Sequence, residues 1–154
     1  MVILAIDPGS EKSAFVYYDT VDVVILRKGI VTNREMLLCV KAGKDDHLVV
    51  EMIACYGMPV GKEVFETCLW IGRFIEASPN NHSLVYRRDE KIFLCGSMKA
   101  RDANIRQALI DLLGKEKTKG CAKDIWAALA VAVTYARQPT EFFGLLNQRS
   151  QSAA

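Results

Sequence analysis

Apolar runs alternate with polar, turn-forming segments along this chain, and the period within each run predicts its element. Residues 2 to 6, VILAI, are apolar at every position and rich in β-branched side chains, and the run stops at Asp7-Pro8-Gly9-Ser10. Such a run, bounded by a Pro-Gly turn, predicts a strand buried on both faces with a carboxylate at its carboxyl end. Residues 13 to 19 (SAFVYYD) and 22 to 31 (DVVILRKGIV) predict two further strands, with Asp19 to Asp22 as the hairpin between them. Thr32-Asn33 caps a helix running to about Ala42, ended by Gly43. Residues 47 to 53, HLVVEMI, read as the next buried strand, and Glu51 lies inside it. After a loop broken by Gly57, Pro59 and Gly61, a helix from Lys62 to about Glu76 presents Val64, Phe65, Cys68, Leu69, Ile71, Gly72 and Ile75 as a broad apolar face.

Residues 83 to 86, SLVY, predict a fifth strand. Residues 99 to 113 predict an amphipathic helix through Ile105, Ala108, Leu109 and Leu112, stopped by Gly114. A charged loop, KEKTKG, leads to a last long helix from about Ala122 to Arg137, stopped by Pro139; residues 141 to 148 suggest a short helix, followed by a flexible tail. The opening strands fit an antiparallel meander, and strands that alternate with helices fit parallel pairing. The expectation is one α/β domain over residues 1 to 154, a mixed five-stranded sheet with helices on both faces.

With 51% apolar and 25% charged residues, the chain has the composition of a soluble domain with a real core. No uncharged apolar run approaches the ~18 residues that a membrane span needs. The opening MVILAIDPGS has neither the basic start nor the long apolar stretch of a signal peptide. Five cysteines with no CxxC pair suggest reduced thiols in a reducing compartment, the cytoplasm. Neither His47 nor His82 has a cysteine partner at zinc-finger spacing. The net charge of +2 does not announce a nucleic-acid binder, but its distribution is uneven. Arg87 to Lys119 holds nine basic and five acidic residues, so this segment is basic and the rest of the chain mildly acidic.

Three carboxylates stand where desolvation makes them costly: Asp7 at the end of a buried strand, Glu51 within LVVEMI, and Asp124 at the start of the apolar helix IWAALAVAV. Each has a plainer role: Asp7 caps a turn, Glu51 points outward from a half-exposed strand, and Asp124 complements the helix dipole. Together they suggest a cluster, because parallel neighbouring strands bring Asp7 beside Glu51 and the last helix packs across both. Oxygen ligands on rigid elements suit Mg²⁺, or Mn²⁺ in its place. A shared acidic cluster of this kind serves two-metal phosphodiester hydrolysis.

VILAIDPG, VVEMI with YGMPVGKEVFETCLWIGRF, and KDIWAALAVAVTYA, in this order over roughly residues 2 to 138, resemble the RuvC family of Holliday junction resolvases, particularly its phage-type members. The resemblance implies an RNase H-like fold and a homodimer that nicks four-way DNA junctions symmetrically, in the host cytoplasm if phage-encoded. It implies Asp7, Glu51 and Asp124 as catalytic and metal-binding acids. Cellular members carry a second aspartate one turn into the last helix, where this chain has Ala127. Asp102 and Glu66 are substitute ligands to check.

For DNA contact, Lys99, Arg101 and Arg106 cluster at the expected start of the 99 to 113 helix, Lys115, Lys117 and Lys119 follow it, and Lys12 lies just past the first acid. Tyr56 is the aromatic nearest the point where related enzymes stack on junction bases. Three other readings stay open: a nuclease of broader selectivity on branched DNA or structured RNA, a junction-binding protein with weak or no cleavage because of Ala127, and an actin-like ATPase fold suggested by IDPG alone. The Lys62 to Glu76 helix serves either as dimer interface or as core.

Overall fold

The structure, a computed structural model, describes residues 1–138. The short helix expected at 141 to 148 and the tail after it lie outside the described residues. β1 (Val2–Asp7) pairs antiparallel with β2 (Lys12–Asp19), which pairs antiparallel with β3 (Val24–Thr32). On the other side of β1 lies β4 (His47–Met52), parallel to it, and then β5 (His82–Tyr86), parallel to β4. The order β3-β2-β1-β4-β5 is the expected mixed sheet of five strands. Among the described residues there are five helices: α1 (Asn33–Ala42), α2 (Lys62–Ala77), α3 (Arg87–Cys95), α4 (Asp102–Leu113) and α5 (Ile125–Arg137).

The unbroken apolar run of β1 follows from its central position. Ile3, Leu4, Ala5 and Ile6 are all fully buried, because alternate side chains feed two separate cores. Ile3 and Ala5 join Val16, Tyr18 and Val49 beneath α5, together with Ile105 and Leu109 of α4. Leu4 and Ile6 join Phe15 and Val50 against Met36 of α1 and Ile71 and Phe74 of α2. Helices α3, α4 and α5 therefore cover one face of the sheet, and α1 and α2 the other. Every residue of α5 from Ala128 to Thr134 is buried, as expected of a helix enclosed between a sheet and other helices.

Several boundaries differ from the sequence expectation for local reasons. β3 starts at Val24 rather than Asp22, because Asp19 Oδ1 accepts the amides of Val21 (2.8 Å) and Asp22 (3.2 Å) and holds the turn open through Val23. The 99 to 113 helix starts only at Asp102. Ser97 Oγ accepts the Lys99 amide (3.1 Å), Asn104 Oδ1 accepts the Arg101 amide (2.9 Å), and Ala100 is buried in the turn between them. Lys99 consequently stands in the turn and does not share a helical face with Arg106. The last helix begins at Ile125, with Asp124 at its N-cap. Helix α3 was not expected at all; its first five residues are all charged, and its apolar residues Ile92, Phe93 and Leu94 fall together in the last turns.

The end of α1 matches expectation. Thr32 and Glu35 form a capping box, and Gly43 closes the helix at φ 57°, a left-handed conformation that glycine adopts without steric cost. The apolar face expected of α2 is divided. Thr67, Ile71 and Phe74 pack inward, whereas Phe65 and Leu69 are 63% and 64% exposed. The five cysteines are free and half-buried. Among the described residues, no helix is long and apolar enough to cross a membrane.

Candidate active site

The backbone alone brings Asp7 and Glu51 together. β1 and β4 run parallel with Ile6 opposite Val50, so the next residue on each strand is one of the two acids. Asp7 has the parity of Ile3 and Ala5, and Glu51 that of Val49, so both side chains emerge on the α5 face of the sheet. They do so at the carboxyl ends of parallel strands, where open α/β sheets form their ligand crevices.

The loop after Asp7 is held by a buried polar network. Ser13 Oγ donates to Asn33 Oδ1 (2.6 Å), and Asn33 Nδ2 donates to the carbonyl of Gly9 (2.8 Å). Both side chains are almost fully buried. A Cβ on residue 9 would stand 2.4 Å from the Lys12 carbonyl oxygen, so this turn requires glycine. The network ties the start of α1 to the exit of β1 and fixes the direction in which Asp7 projects.

The electrostatics are those of crowded acids. Burial pushes the Asp7 carboxyl up to about 9, helped by the charge and hydrogen bond of Glu51 and by the charge of Asp124. Burial, then the charge of Glu90, raises Glu51 to about 7, while the hydrogen bond to Asp7 and the charge of Arg87 oppose the rise. Both carboxyls are therefore held toward their protonated forms, and the contacting pair shares a proton. Asp124 sits at the N-cap of α5, exposed, and its side chain makes no capping hydrogen bond. Asp7 and Glu51 are in contact, yet among the described residues no group of three or more His, Cys, Asp or Glu side chains converges closely enough to hold a metal ion.

The sequence reading missed a fourth acid and its partner. Glu90, one turn into α3, is fully buried, and its Oε2 accepts from Arg87 Nη1 at 2.8 Å. Burial raises Glu90 to about 7 against the pull of Arg87, and the charge of Asp7 adds to the rise. Arg87 also bridges to Asp102. One signal was available. Since β5 lies parallel to β4, residues just after Tyr86 must emerge at the same end of the sheet as Asp7 and Glu51.

The remaining site expectations fall at different distances from this cluster. Asp102 is largely exposed, and the Arg87 bridge ties it to the cluster's edge. Glu66 pairs instead with Lys62 at 3.4 Å, one turn back along α2. Ala127 is half-buried on α5, one turn beyond Asp124. Lys12, Lys99, Arg101, Arg106 and Lys115 are exposed. The Arg106 guanidinium lies 5.0 Å from the centre of the Trp126 ring, fastening α4 to the start of α5. Tyr56 is 60% exposed in the loop after β4, at a positive φ of 42°.

These shifts have a sign that can be tested. Asp7, Glu51 and Glu90 all have folded values above their ordinary ones, so the fold favours their protonated forms. Their contribution to stability is fully present below about pH 4 and is lost as pH rises through about 7 and then about 9. Thermal unfolding in EDTA should show Tm falling steadily between about pH 5 and pH 9. A flat or rising profile would contradict the clustering of these acids.

No family model matches the chain, and no curated protein sequence matches it. Solved structures do. RuvC of Thermus thermophilus superposes with a TM-score of 0.71 at 18% identity, covering 88% of this chain and 93% of that one. The same protein in complex with Holliday junction substrate superposes with a TM-score of 0.67, again at 18% identity, covering 88% and 92%. The chain has the RNase H-like α/β fold of these structures over nearly its whole length.

Proposed function

We propose that this chain is a structure-selective DNA endonuclease that resolves four-way junctions by metal-dependent phosphodiester hydrolysis. The observation that carries the reading is the contact between Asp7 and Glu51 at neighbouring parallel strand ends. They lie in the fold of a protein that has been solved with Holliday junction substrate.

The side chains are of the type a hard divalent cation takes, although only Asp7 and Glu51 are in contact among the described residues and a third ligand would have to close on them. Carboxylates are the preferred ligands of such a cation, and the Arg87 guanidinium offsets the charge of both Glu51 and Glu90. Asp7, Glu51 and Asp124 are the residues that would hold Mg²⁺, with Mn²⁺ as a substitute. Such an ion supplies Lewis acidity toward water and toward the scissile phosphate. The protein's own part is to release the proton that Asp7 shares with Glu51 and to keep both carboxylates fixed against the sheet. Exposed Lys99, Arg101 and Arg106 suit contact with the phosphate backbone, Lys12 lies just past Asp7, and exposed Lys115 would reach a neighbouring arm. Tyr56, exposed beside the crevice, suits stacking on unpaired bases.

Cutting two strands of like polarity about a two-fold axis calls for a homodimer. The outward-facing Phe65 and Leu69 on α2 support that arrangement. Ala127 favours a second reading, a junction-binding protein with weak cleavage. Incubation with mobile and immobile junctions, forks and structured RNA, in Mg²⁺ and in Mn²⁺, separates these. Paired nicks in the junction are expected, and tight binding with no nicking in either metal would overturn the endonuclease reading. Broad cleavage of forks or RNA would overturn junction selectivity. Replacing Lys99 or Arg101 by alanine should weaken junction binding at every junction sequence. Each should lower the slope of log affinity against log salt by about one. An unchanged slope would remove that residue from the phosphate path.

A further inference from the structure

A groove separate from the acidic crevice lies between α3 and α4. Its volume is about 450 Å³, within the range of small-ligand sites. Leu94 and Ala108, both half-buried, form its base, and the exposed side chains of Lys99, Asn104, Gln107 and Asp111 line it. Asn104, Gln107, Ala108 and Asp111 share one stripe of α4 by their helical spacing. That stripe starts two residues after Asp102, which Arg87 ties to the edge of the crevice, and it extends about 10 Å along the helix.

The polar groups of the groove are matched to the edge of a base. Gln107 Nε2 donates to Asp111 Oδ1 at 2.8 Å. A carboxylate only accepts, so the amide turns its N–H toward Asp111 and keeps Oε1 as an acceptor. Asp111 Oδ2 is a second acceptor beside it. Asn104 is the reverse: its Oδ1 takes the Arg101 amide at 2.9 Å, which leaves Nδ2 as a donor. The groove thus offers two neighbouring acceptors, an amide donor, the Lys99 ammonium, and an apolar base on which a flat ring can lie. Among the DNA bases, guanine alone carries two neighbouring N–H donors, N1–H and N2–H, beside an acceptor, O6. Cytosine takes those donors in a duplex, so a guanine read this way is unpaired, a state most accessible beside a strand exchange point.

We propose that the α3–α4 groove is a subsite for an unpaired guanine of the DNA substrate. Gln107 and Asp111 accept its N1–H and N2–H, Asn104 donates to O6, and Lys99 meets the adjoining phosphate. This inference rests on the DNA-binding part of the reading above and adds base selectivity to it.

Fluorescence anisotropy in EDTA tests it, with junctions that carry guanine, hypoxanthine or adenine at the exchange point. Hypoxanthine lacks only the N2 amino group. Both alternatives unpair more easily than guanine, so weaker pairing cannot produce a guanine preference. The wild type should bind the guanine junction about tenfold more tightly than the others. Asp111→Ala and Gln107→Ala stand at exposed helical positions where alanine favours the helix, so both should fold with little change in Tm. Each should lose most of the preference. The charge lost in Asp111→Ala acts on all three junctions alike, so the preference reports the base contact. Equal wild-type affinity for the three junctions, or a preference that survives in both variants, would overturn the inference; Gln107 and Asp111 would then be a helix-surface pair alone. Binding of guanosine monophosphate without any preference among junctions would overturn it in favour of a free nucleotide. Guanine preference in a protein that nicks no junction in Mg²⁺ or Mn²⁺ would sustain the inference and sink the endonuclease reading. A wild type that binds no junction more tightly than duplex DNA would overturn both.

Discussion

Replacing Asp7 with asparagine should lower junction cleavage by on the order of 10³-fold, about 4 kcal/mol of barrier, while leaving junction binding intact. The reasoning starts from what the Asp7 carboxyl does in each state. Without a cation, burial and the neighbouring Glu51 favour its protonated form, and the two carboxyls share a proton. An asparagine amide has the same shape, is neutral, and can also donate to Glu51, so the fold should persist with an unchanged or higher Tm in EDTA. With a cation, the carboxylate oxygen is needed as an anionic ligand, and the amide is a far weaker one. Because burial already holds the Asp7 carboxyl toward its neutral form, the substitution changes little charge in the metal-free crevice, and junction affinity should hold. Gel-shift and single-turnover cleavage on one junction measure both effects. Retained cleavage in Asp7→Asn would sink the assignment of Asp7, whereas lost binding would mean that the substitution had damaged the fold.

The second large effect concerns Arg87. Its side chain is 28% exposed, and it is the hydrogen-bonding partner of a fully buried carboxylate. Breaking such a pair from one side leaves an uncompensated charge, and Arg87→Ala should cost about 3 kcal/mol in urea unfolding near neutral pH. Glu90 has an escape, which is to take up a proton. The loss should therefore shrink toward about pH 5 and grow above about pH 7, since a carboxyl raised in the folded state costs more as pH rises. Combining Arg87→Ala with Glu90→Gln should recover most of the loss, because the buried charge has gone. Equal stability of Arg87→Ala and wild type across this pH range would show that Arg87 does not carry Glu90.

Much of the framework was legible because it depends on local periodicity. VILAI and HLVVE are apolar on both faces, and central strands of a sheet covered by helices have that pattern. Thr32, Glu35 and Gly43 announced α1 through cap chemistry that needs no distant partner. Helix α3 was passed over, since a short segment that opens on five charged residues reads as a solvated loop after β5. The start of α4 was misplaced because side-chain capping by Ser97 and Asn104 outweighs helix propensity at Lys99 and Ala100.

The site divides along the same line. Asp7 and Glu51 could be singled out from sequence, because a charge inside an apolar run stands out whatever surrounds it. Asp124 stood out beside an apolar helix. The contact between Asp7 and Glu51, the proton they share, the arrival of Glu90 from α3 and the pinning of the Gly9 turn by Asn33 were decided only by the tertiary structure. The physical reason is range. Burial patterns repeat every two or three to four residues and are written locally. The neighbours of a buried charge are set by strand register and by the connections that bring distant segments to one end of the sheet. Glu90 and Arg87 read as members of a basic surface until the parallel pairing of β4 with β5 placed them against Glu51.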